Sequence, residues 1–199
     1  MSKNTSTTER RKFMKMLGLG AVATASSAFA ARGGGNGGNG GNNSDELTEE
    51  QKDTLFYIFQ EEKVARDVYI TLGKLYPDES TFANIQLSEQ EHILSAQVLC
   101  ERYLMDTSMV NLSLDDAYVG VFELDSMQKL YNSCVELGQE SLLSAIRVGV
   151  EIEVTDIEDL EHASEGMPSD VVNVYANLKD GSLSHLAAFE SAEKSLLSY

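Results

Sequence analysis

Apolar side chains recur every three or four residues along most of the chain after Glu46, and no other feature constrains the fold as strongly. This spacing places side chains on one face of an α-helix, whereas the period-two alternation of a strand is not sustained there. Four long segments carry the pattern, and each predicts a helix of about 25 residues, or about 35–40 Å in length. The first ends at Pro77, the second begins after Ser80 or Thr81, the third follows Gly138, and the fourth begins near Pro168 and Ser169.

The connections between these segments predict how the helices are joined. Short links join the first helix to the second and the third to the fourth, whereas about 33 residues separate the second from the third. Within that interval the spacing of Met127, Leu130, Tyr131 and Cys134 predicts an extra short helix over roughly residues 124–137. The sequence therefore predicts an all-α fold, a four-helix bundle with a long crossover between helices two and three.

Polar side chains interrupt each apolar stripe near its middle. Residues three apart on a helix point in the same direction, so these side chains face the predicted interior. A carboxylate buried without a partner is costly, and the stripes carry no lysine or arginine at that level, although Arg66 beside the first is placed to reach part of the way. The interruptions are Glu62 in the first helix, Glu89 and His92 in the second, Glu153 and Asp156 in the third, and Ser182 and His185 in the fourth.

Two divalent cations would balance the charge of the four buried carboxylates. Carboxylates and imidazoles on facing helices of a bundle are the ligands of dinuclear iron or manganese centres, in which Glu-x-x-His recurs, and Glu89-Gln90-Glu91-His92 is one intact unit. Two iron ions are expected, with manganese or zinc as alternatives, and no side chain is assigned a catalytic role. The predicted metal ligands are Glu62, Glu89, His92, Glu153, Asp156 and His185.

Other interpretations of these side chains stay open. Taken singly, His92 or His185 is more often a core histidine with satisfied hydrogen bonds than a metal ligand. Tyr69 and Tyr175 occupy stripe positions, where they either pack as core aromatics with hydrogen-bonded hydroxyls or serve the centre by hydrogen bonding a ligand or supplying an electron.

Acidic residues next to the stripes are predicted to form a solvated surface. They turn away from the helix faces that carry the ligands. A rotation of the third helix would exchange Glu153 for Glu151 in the interior. The flanking acids are Glu61, Glu91, Glu151 and Glu158.

The first thirty residues have the features of an export signal. A basic stretch precedes a weakly apolar run from Met16 to Ala28, and Ala28-Phe29-Ala30 offers a small-residue cleavage site; together they resemble a twin-arginine signal peptide. The predicted regions are this signal over residues 1–30, a flexible glycine- and asparagine-rich linker over 31–46, and a folded domain over 47–199. The mature protein is expected in the periplasm or outside the cell. The basic stretch is Glu9-Arg10-Arg11-Lys12-Phe13-Met14-Lys15.

The charge balance excludes several classes of partner. The whole chain carries a formal net charge of −17, and residues 1–30 hold five of its basic residues and one acid, so the remainder has 10 basic and 31 acidic residues, or −21. Such a surface repels phosphate backbones and anionic lipids, so no nucleic-acid partner and no stable membrane association are expected after the signal is removed.

Cys100 and Cys134 are the only cysteines of the sequence. A single disulfide is possible in an exported protein, but nothing in the spacing requires it, and two buried free thiols are the favoured interpretation. They do not form a Cys-x-x-Cys pair.

The motifs on the stripes resemble those of ferritin-like proteins of the rubrerythrin type. The fourth helix departs from the pattern, because Ser182 stands where the resemblance implies a glutamate, so the second ion would have fewer protein ligands or be absent. Residues 50–197 also resemble an uncharacterised bacterial and archaeal ferritin-like family known only as a domain of unknown function. The segments that carry these resemblances are Glu62-Lys63-Val64-Ala65-Arg66-Asp67-Val68-Tyr69 with Glu61 before it, Ser88-Glu89-Gln90-Glu91-His92, Glu153-Val154-Thr155-Asp156-Ile157 and Gly181-Ser182-Leu183-Ser184-His185.

Two functional hypotheses follow. The first is an exported oxidoreductase of the peroxidase or ferroxidase type, whose iron or manganese centre reacts with O₂ or peroxide and draws on an external electron donor. The alternative is a non-catalytic helical module that binds a metal such as zinc, or a partner, or no metal. A homodimer is compatible with either.

Overall fold

Residues 46–198, the part of the chain that the computed structural model describes, contain five α-helices and no strand. The prediction of an all-α fold is confirmed for this range, and the predicted extra helix is present as α3. The predicted signal peptide and nearly all of the predicted linker lie outside the described residues. The helices are α1 (Glu49–Leu75), α2 (Ser80–Arg102), α3 (Asp125–Gly138), α4 (Leu142–Ala163) and α5 (Ser169–Leu196).

Local sequence signals account for the helix ends. Thr48 caps α1 in a reciprocal capping box with Gln51, and Pro77 follows shortly after its last turn. The Ser141 side chain accepts a hydrogen bond from the backbone N–H of Ser144 at the start of α4. The Glu79 side chain caps α2 in the same way, one residue before the predicted start.

The long helices pack as antiparallel pairs. In the α1–α2 pair, Cys100 lies beside the backbone of Leu55, while the rings of Tyr69 and Phe82 are 6.2 Å apart near the other end. In the α4–α5 pair, Gly149 lies against Phe189, and Glu161 pairs with Lys179. Contacts of α1 with α4 and of α2 with α5 join the two pairs into one helical bundle.

The connection between α2 and α4 runs along the length of the bundle. Since α2 ends near the start of α1, and Gly138 lies against Leu72 near the end of α1, the chain from 103 to 141 has to travel from one end to the other. On the way, α3 packs against α1 and α4. The predicted long crossover is therefore observed.

Buried charges on α1 hold this connection in place. The Lys63 ammonium donates to Asp67 at 2.6 Å and to the carbonyl oxygens of Tyr118 and Val121. The Arg66 guanidinium donates to Asp67 and to the carbonyl oxygen of Leu112. Arg66 therefore serves the crossover, and it also donates to the side chain of Gln90, which is next to Glu89 on α2.

Apolar layers lie on both sides of the polar level. On one side the rings of Tyr69, Phe82 and Phe189 form a cluster with centroids 5.1–6.2 Å apart. On the other side, a larger core includes Phe59, Ile93 and Leu178. Both cysteines are buried and free, as predicted. Within residues 46–198, no helix is long and apolar enough to cross a membrane.

Candidate metal centre

Six side chains that interrupt the apolar stripes are all buried in the bundle. Their exposed fractions are between 1% and 7%, although every one of them is polar. We call them the central cluster: Glu62 from α1, Glu89 and His92 from α2, Glu153 and Asp156 from α4, and His185 from α5.

Glu89 lies at the middle of the central cluster and faces both histidines. Its Oε1 is 2.7 Å from Nδ1 of His185, and its Oε2 is 3.0 Å from Nδ1 of His92. A second carboxylate approaches each ring: Glu62 Oε2 is 3.2 Å from Nδ1 of His92, and Glu153 Oε2 is 3.5 Å from Nδ1 of His185. The cluster thus has two halves, each with one imidazole and one carboxylate of its own, which share Glu89.

Several of these close contacts are not hydrogen bonds. Although Glu89 Oε1 and His185 Nδ1 are 2.7 Å apart, the angles at these two atoms do not suit a hydrogen bond. Both atoms are buried without a hydrogen-bond partner in the described structure. Glu62 Oε1 and Asp156 Oδ1 are also buried without one. Buried polar atoms are rarely left unsatisfied, so atoms that converge without bonding to each other are typical of ligands around a cation.

Two hydroxyl groups hold the carboxylates of α4. Tyr69 donates a hydrogen bond of 2.6 Å to Glu153 Oε1, so its hydroxyl is satisfied within the core. Ser182 lies 2.6 Å from Asp156 Oδ2 and 3.0 Å from the carbonyl oxygen of Leu178, to either of which it can donate. Ser182 therefore orients Asp156, which is the one member of the central cluster without a close contact to an imidazole.

The pKa values of the central cluster reflect burial and mutual contact. Burial opposes ionisation of Glu89, but the contacts with His185 and His92 outweigh it and lower its pKa to about 2. Burial raises the pKa of Glu62 to about 7, and burial with the charge of Glu89 raises that of Glu153 to about 8. Burial would lower the pKa values of the histidines, but the carboxylates raise that of His92 to about 11 and that of His185 to about 9. Without a metal, the imidazoles therefore hold protons at neutral pH.

Close packing positions the two imidazole rings. They stack with centroids 5.3 Å apart and planes inclined by 28°. A Cβ added at Gly181 would lie 2.4 Å from Nε2 of His92, so only a glycine at this position of α5 leaves room for the ring. With Nε2 against the α5 backbone, Nδ1 of His92 is directed to the carboxylates.

The prediction for the flanking acids is partly wrong. Glu91 and Glu158 are exposed, and Glu153 lies in the central cluster, close to His185. Glu61, however, is 5% exposed, because α1 is enclosed on every side from residue 58 to 69 by α2, α4, α3 and the crossover. A helix packed on all sides buries residues off its apolar stripe.

Some residues at the site were not predicted, and Tyr175 lacks the hydrogen bond expected of it as a core aromatic. Nothing in the helical spacing indicated that Gly181 makes room for His92. Asp159, whose charge raises the pKa of the buried Glu61, was also not predicted. The signal for Asp159 is its place three residues after Asp156, on the same side of α4. Tyr175 is buried, but its hydroxyl has no hydrogen-bond partner among the described residues.

Comparisons with known proteins agree on one group of relatives. Residues 51–195 match the family described as an uncharacterized protein domain, DUF2202. The chain is 38% identical over 144 residues to the uncharacterized protein MJ0754 of Methanocaldococcus jannaschii. The aligned residues make up 72% of this chain and 75% of that protein. It is also similar to the crystal structure of hypothetical protein MJ0754 from Methanococcus jannaschii, with a TM-score of 0.69 and 35% identity over 76% of this chain and 84% of that one. Each match is long enough to take in most of the bundle.

Proposed function

The chain belongs to the DUF2202 family, and we propose that it is a metal protein whose central cluster binds two iron or manganese ions. We further propose that its bundle is ferritin-like, and that the centre reacts with O₂ or peroxide or oxidises ferrous iron.

The position of Glu89 is the observation that carries this proposal. Its two carboxylate oxygens each face a different imidazole, at 2.7 and 3.0 Å. Around one ion with bonds of about 2.1 Å, neighbouring ligand atoms stand about 3.0–3.4 Å apart, close to the separations found in both halves of the cluster. With one oxygen in each half, Glu89 would help to hold both ions.

Charge balance favours the same conclusion. Glu62, Glu89, Glu153 and Asp156 are buried within the bundle, and the buried cations Lys63 and Arg66 are engaged by Asp67 and the crossover. Two divalent cations would neutralise the four carboxylates when both imidazoles are neutral. They would also satisfy the buried oxygens of Glu62 and Glu89 that lack hydrogen-bond partners.

The bound metal would supply electron exchange with O₂ or peroxide. The chain's own residues prepare the site. His92 and His185 direct Nδ1 toward Glu89, which lies between them. Tyr69 donates a hydrogen bond from its hydroxyl group to Glu153 Oε1. The aromatic cluster of Tyr69, Phe82 and Phe189 shields the centre from water on one side.

The serine at position 182 leaves the central cluster without a carboxylate from α5. Because Ser182 hydrogen bonds Asp156 instead of contributing a carboxylate, the cluster offers fewer protein ligands than it would with a glutamate at this position. Fewer protein ligands leave positions at which a small oxidant can bind. We propose that O₂ or peroxide binds at a position that is left open beside Ser182.

Location and partners belong to the same proposal. The motif Arg10-Arg11 with the cleavage site at residues 28–30 supports export to the periplasm or beyond. Turnover would require an external electron donor, because the two cysteines of the chain are buried and do not form a Cys-x-x-Cys pair.

Metal analysis of the purified full-length protein tests the proposal. We expect about two iron or manganese ions per chain, and a loss of metal in Glu62→Ala and His185→Ala with helicity unchanged, because each variant removes a ligand from one half. Glu91→Ala is the matched control, since Glu91 lies on α2 between Glu89 and His92 but is exposed. Zinc alone, or far less than one ion per chain, would instead support a non-catalytic module.

A further inference from the structure

Three residues of the central cluster form a compact group of their own, which we call the triad: Glu89, His92 and His185. Each offers one ligand atom, and the three atoms lie within 4.8 Å of one another. The triad comes from the neighbouring helices α2 and α5, whereas the other members of the central cluster come from α1 and α4. Two imidazoles and one carboxylate are therefore gathered on one side of the bundle.

Two imidazoles and one carboxylate suffice to hold one metal ion. Proteins use this ligand set for a single iron or zinc ion, with further positions left open to water or substrate. Imidazole suits iron, copper and zinc ions well, and each half of the central cluster offers only one. A single ion of this kind therefore gains more from the triad, which offers both imidazoles, than from either half.

The ligand atoms of the triad include two that have no other partner. Glu89 Oε1 and His185 Nδ1 are 2.7 Å apart, and neither has a hydrogen-bond partner among the described residues. By contrast, Glu153, the α4 carboxylate beside His185, is already held by the hydroxyl of Tyr69 at 2.6 Å. An ion that joins Glu89 Oε1 to His185 Nδ1 therefore breaks no hydrogen bond.

The imidazoles are more accessible to solvent than the carboxylates that surround them. The side chains of His92 and His185 are each 9% exposed, whereas those of Glu62, Glu89 and Glu153 are 1–2% exposed. An ion that enters from solvent therefore reaches the imidazoles before the carboxylates of α1 and α4.

We propose that the central cluster fills in order: the triad binds the first metal ion alone, and a second ion then divides the two imidazoles between the two halves. Glu62 lies 3.2 Å from Nδ1 of His92 and Glu153 lies 3.5 Å from Nδ1 of His185, so each half has a further carboxylate ready for its own ion. This inference rests on the proposed function, because it states the order in which the proposed two-ion centre fills.

Pulsed EPR of the metal-free full-length protein with Cu²⁺ as the probe tests this order, because it counts the imidazoles bound to each ion. With less than one ion per chain, we expect two imidazoles on each Cu²⁺. With two ions per chain, we expect one imidazole on each and magnetic coupling between the ions. His92→Ala and His185→Ala should each leave one imidazole on the first ion and lower its affinity at least about tenfold, because each removes a ligand of the triad.

Two control variants separate the triad from its surroundings. Glu153→Gln alters a ligand of the second ion but no member of the triad, so it should keep two imidazoles on the first ion and lose the second ion. Glu91→Ala removes an exposed acid between Glu89 and His92 on α2, and should behave like the unmodified protein.

The possible results distinguish this order from the proposed function. One imidazole per ion in the unmodified protein at less than one ion per chain would overturn the order, and this measurement needs no variant. Magnetically coupled pairs from the first addition of metal would also overturn it, while supporting the two-ion centre. If two imidazoles stay on one ion with excess metal and no second ion binds, the triad is supported and the proposed two-ion centre fails.

Discussion

The hydrogen bond from Tyr69 to Glu153 is a direct link between the core and the central cluster. It is 2.6 Å long and fully buried, and the Tyr69 ring packs 5.1 Å from that of Phe189. The ring is therefore fixed by packing, and the hydroxyl fixes the carboxylate. Outer hydrogen bonds of this type orient metal ligands and tune their affinity.

We expect Tyr69→Phe to weaken metal binding about 10–100-fold, mainly in the half that contains His185, because Glu153 loses its orienting donor. The ring and its packing are retained, so the variant should stay folded. Competition against a chelator of known affinity measures the change. Tyr76→Phe is the control, since it removes a hydroxyl that donates to the carbonyl oxygen of Gly138, away from the cluster. Equal affinities in Tyr69→Phe and the unmodified protein would show that Tyr69 is a core aromatic only.

Helix α1 has two separate roles on its different sides. Glu62 and Tyr69 face the centre, whereas Lys63, Arg66 and Asp67 face the crossover. Asp67 accepts hydrogen bonds from both cations and from the backbone N–H of Gly120. The motif from Glu61 to Tyr69 therefore combines metal ligation with attachment of the long connection.

We expect Asp67→Asn to destabilise the protein by about 3–5 kcal/mol, because it leaves the buried cations Lys63 and Arg66 without a counter-charge. Urea denaturation of the metal-free protein measures the loss, so that metal affinity does not contribute. Asp53→Asn, an exposed acid on the same helix, is the control and should change stability by less than about 0.5 kcal/mol. A loss of that small size in Asp67→Asn would mean that the crossover is held by other contacts.

Helix periodicity predicted the helices well, and it also predicted which polar side chains on them face the interior. The stripe positions of Glu62, Glu89 and the two histidines follow from helical spacing, which is local to each helix.

 Burial of Glu61 could not be predicted in this way, because it depends on α3 and the crossover covering the outer side of α1. The same is true of Arg66, whose partner Leu112 lies 46 residues away along the chain. The fit of Gly181 against His92 likewise depends on how closely α5 approaches α2.

In the bundle as a whole, burying ionisable groups at the centre is unfavourable, and we expect metal binding to offset that unfavourable free energy. In the metal-free protein, burial raises the pKa of Glu62 to about 7 and that of Glu153 to about 8, while carboxylates raise that of His185 to about 9. A group with a higher pKa in the folded than in the unfolded chain stabilises the fold below its unfolded pKa. That stability is lost as the pH rises through the folded value.

We therefore expect the metal-free protein to become less stable as the pH rises from the ordinary carboxyl value of 4.5 toward the folded value of about 9 for His185. Metal binding should show the opposite trend, because the ions displace protons from these groups and bind more tightly as the pH rises. Thermal unfolding with and without metal across this range measures both trends. A metal-free protein whose midpoint rises with pH over this range would contradict the account.

Anomalous diffraction from crystals of the protein loaded with iron or manganese tests the central claim most directly. The account predicts two peaks inside the bundle, one beside Nδ1 of His92 and one beside Nδ1 of His185, with the Glu89 carboxylate between them. A single peak within the central cluster, or none, would contradict it.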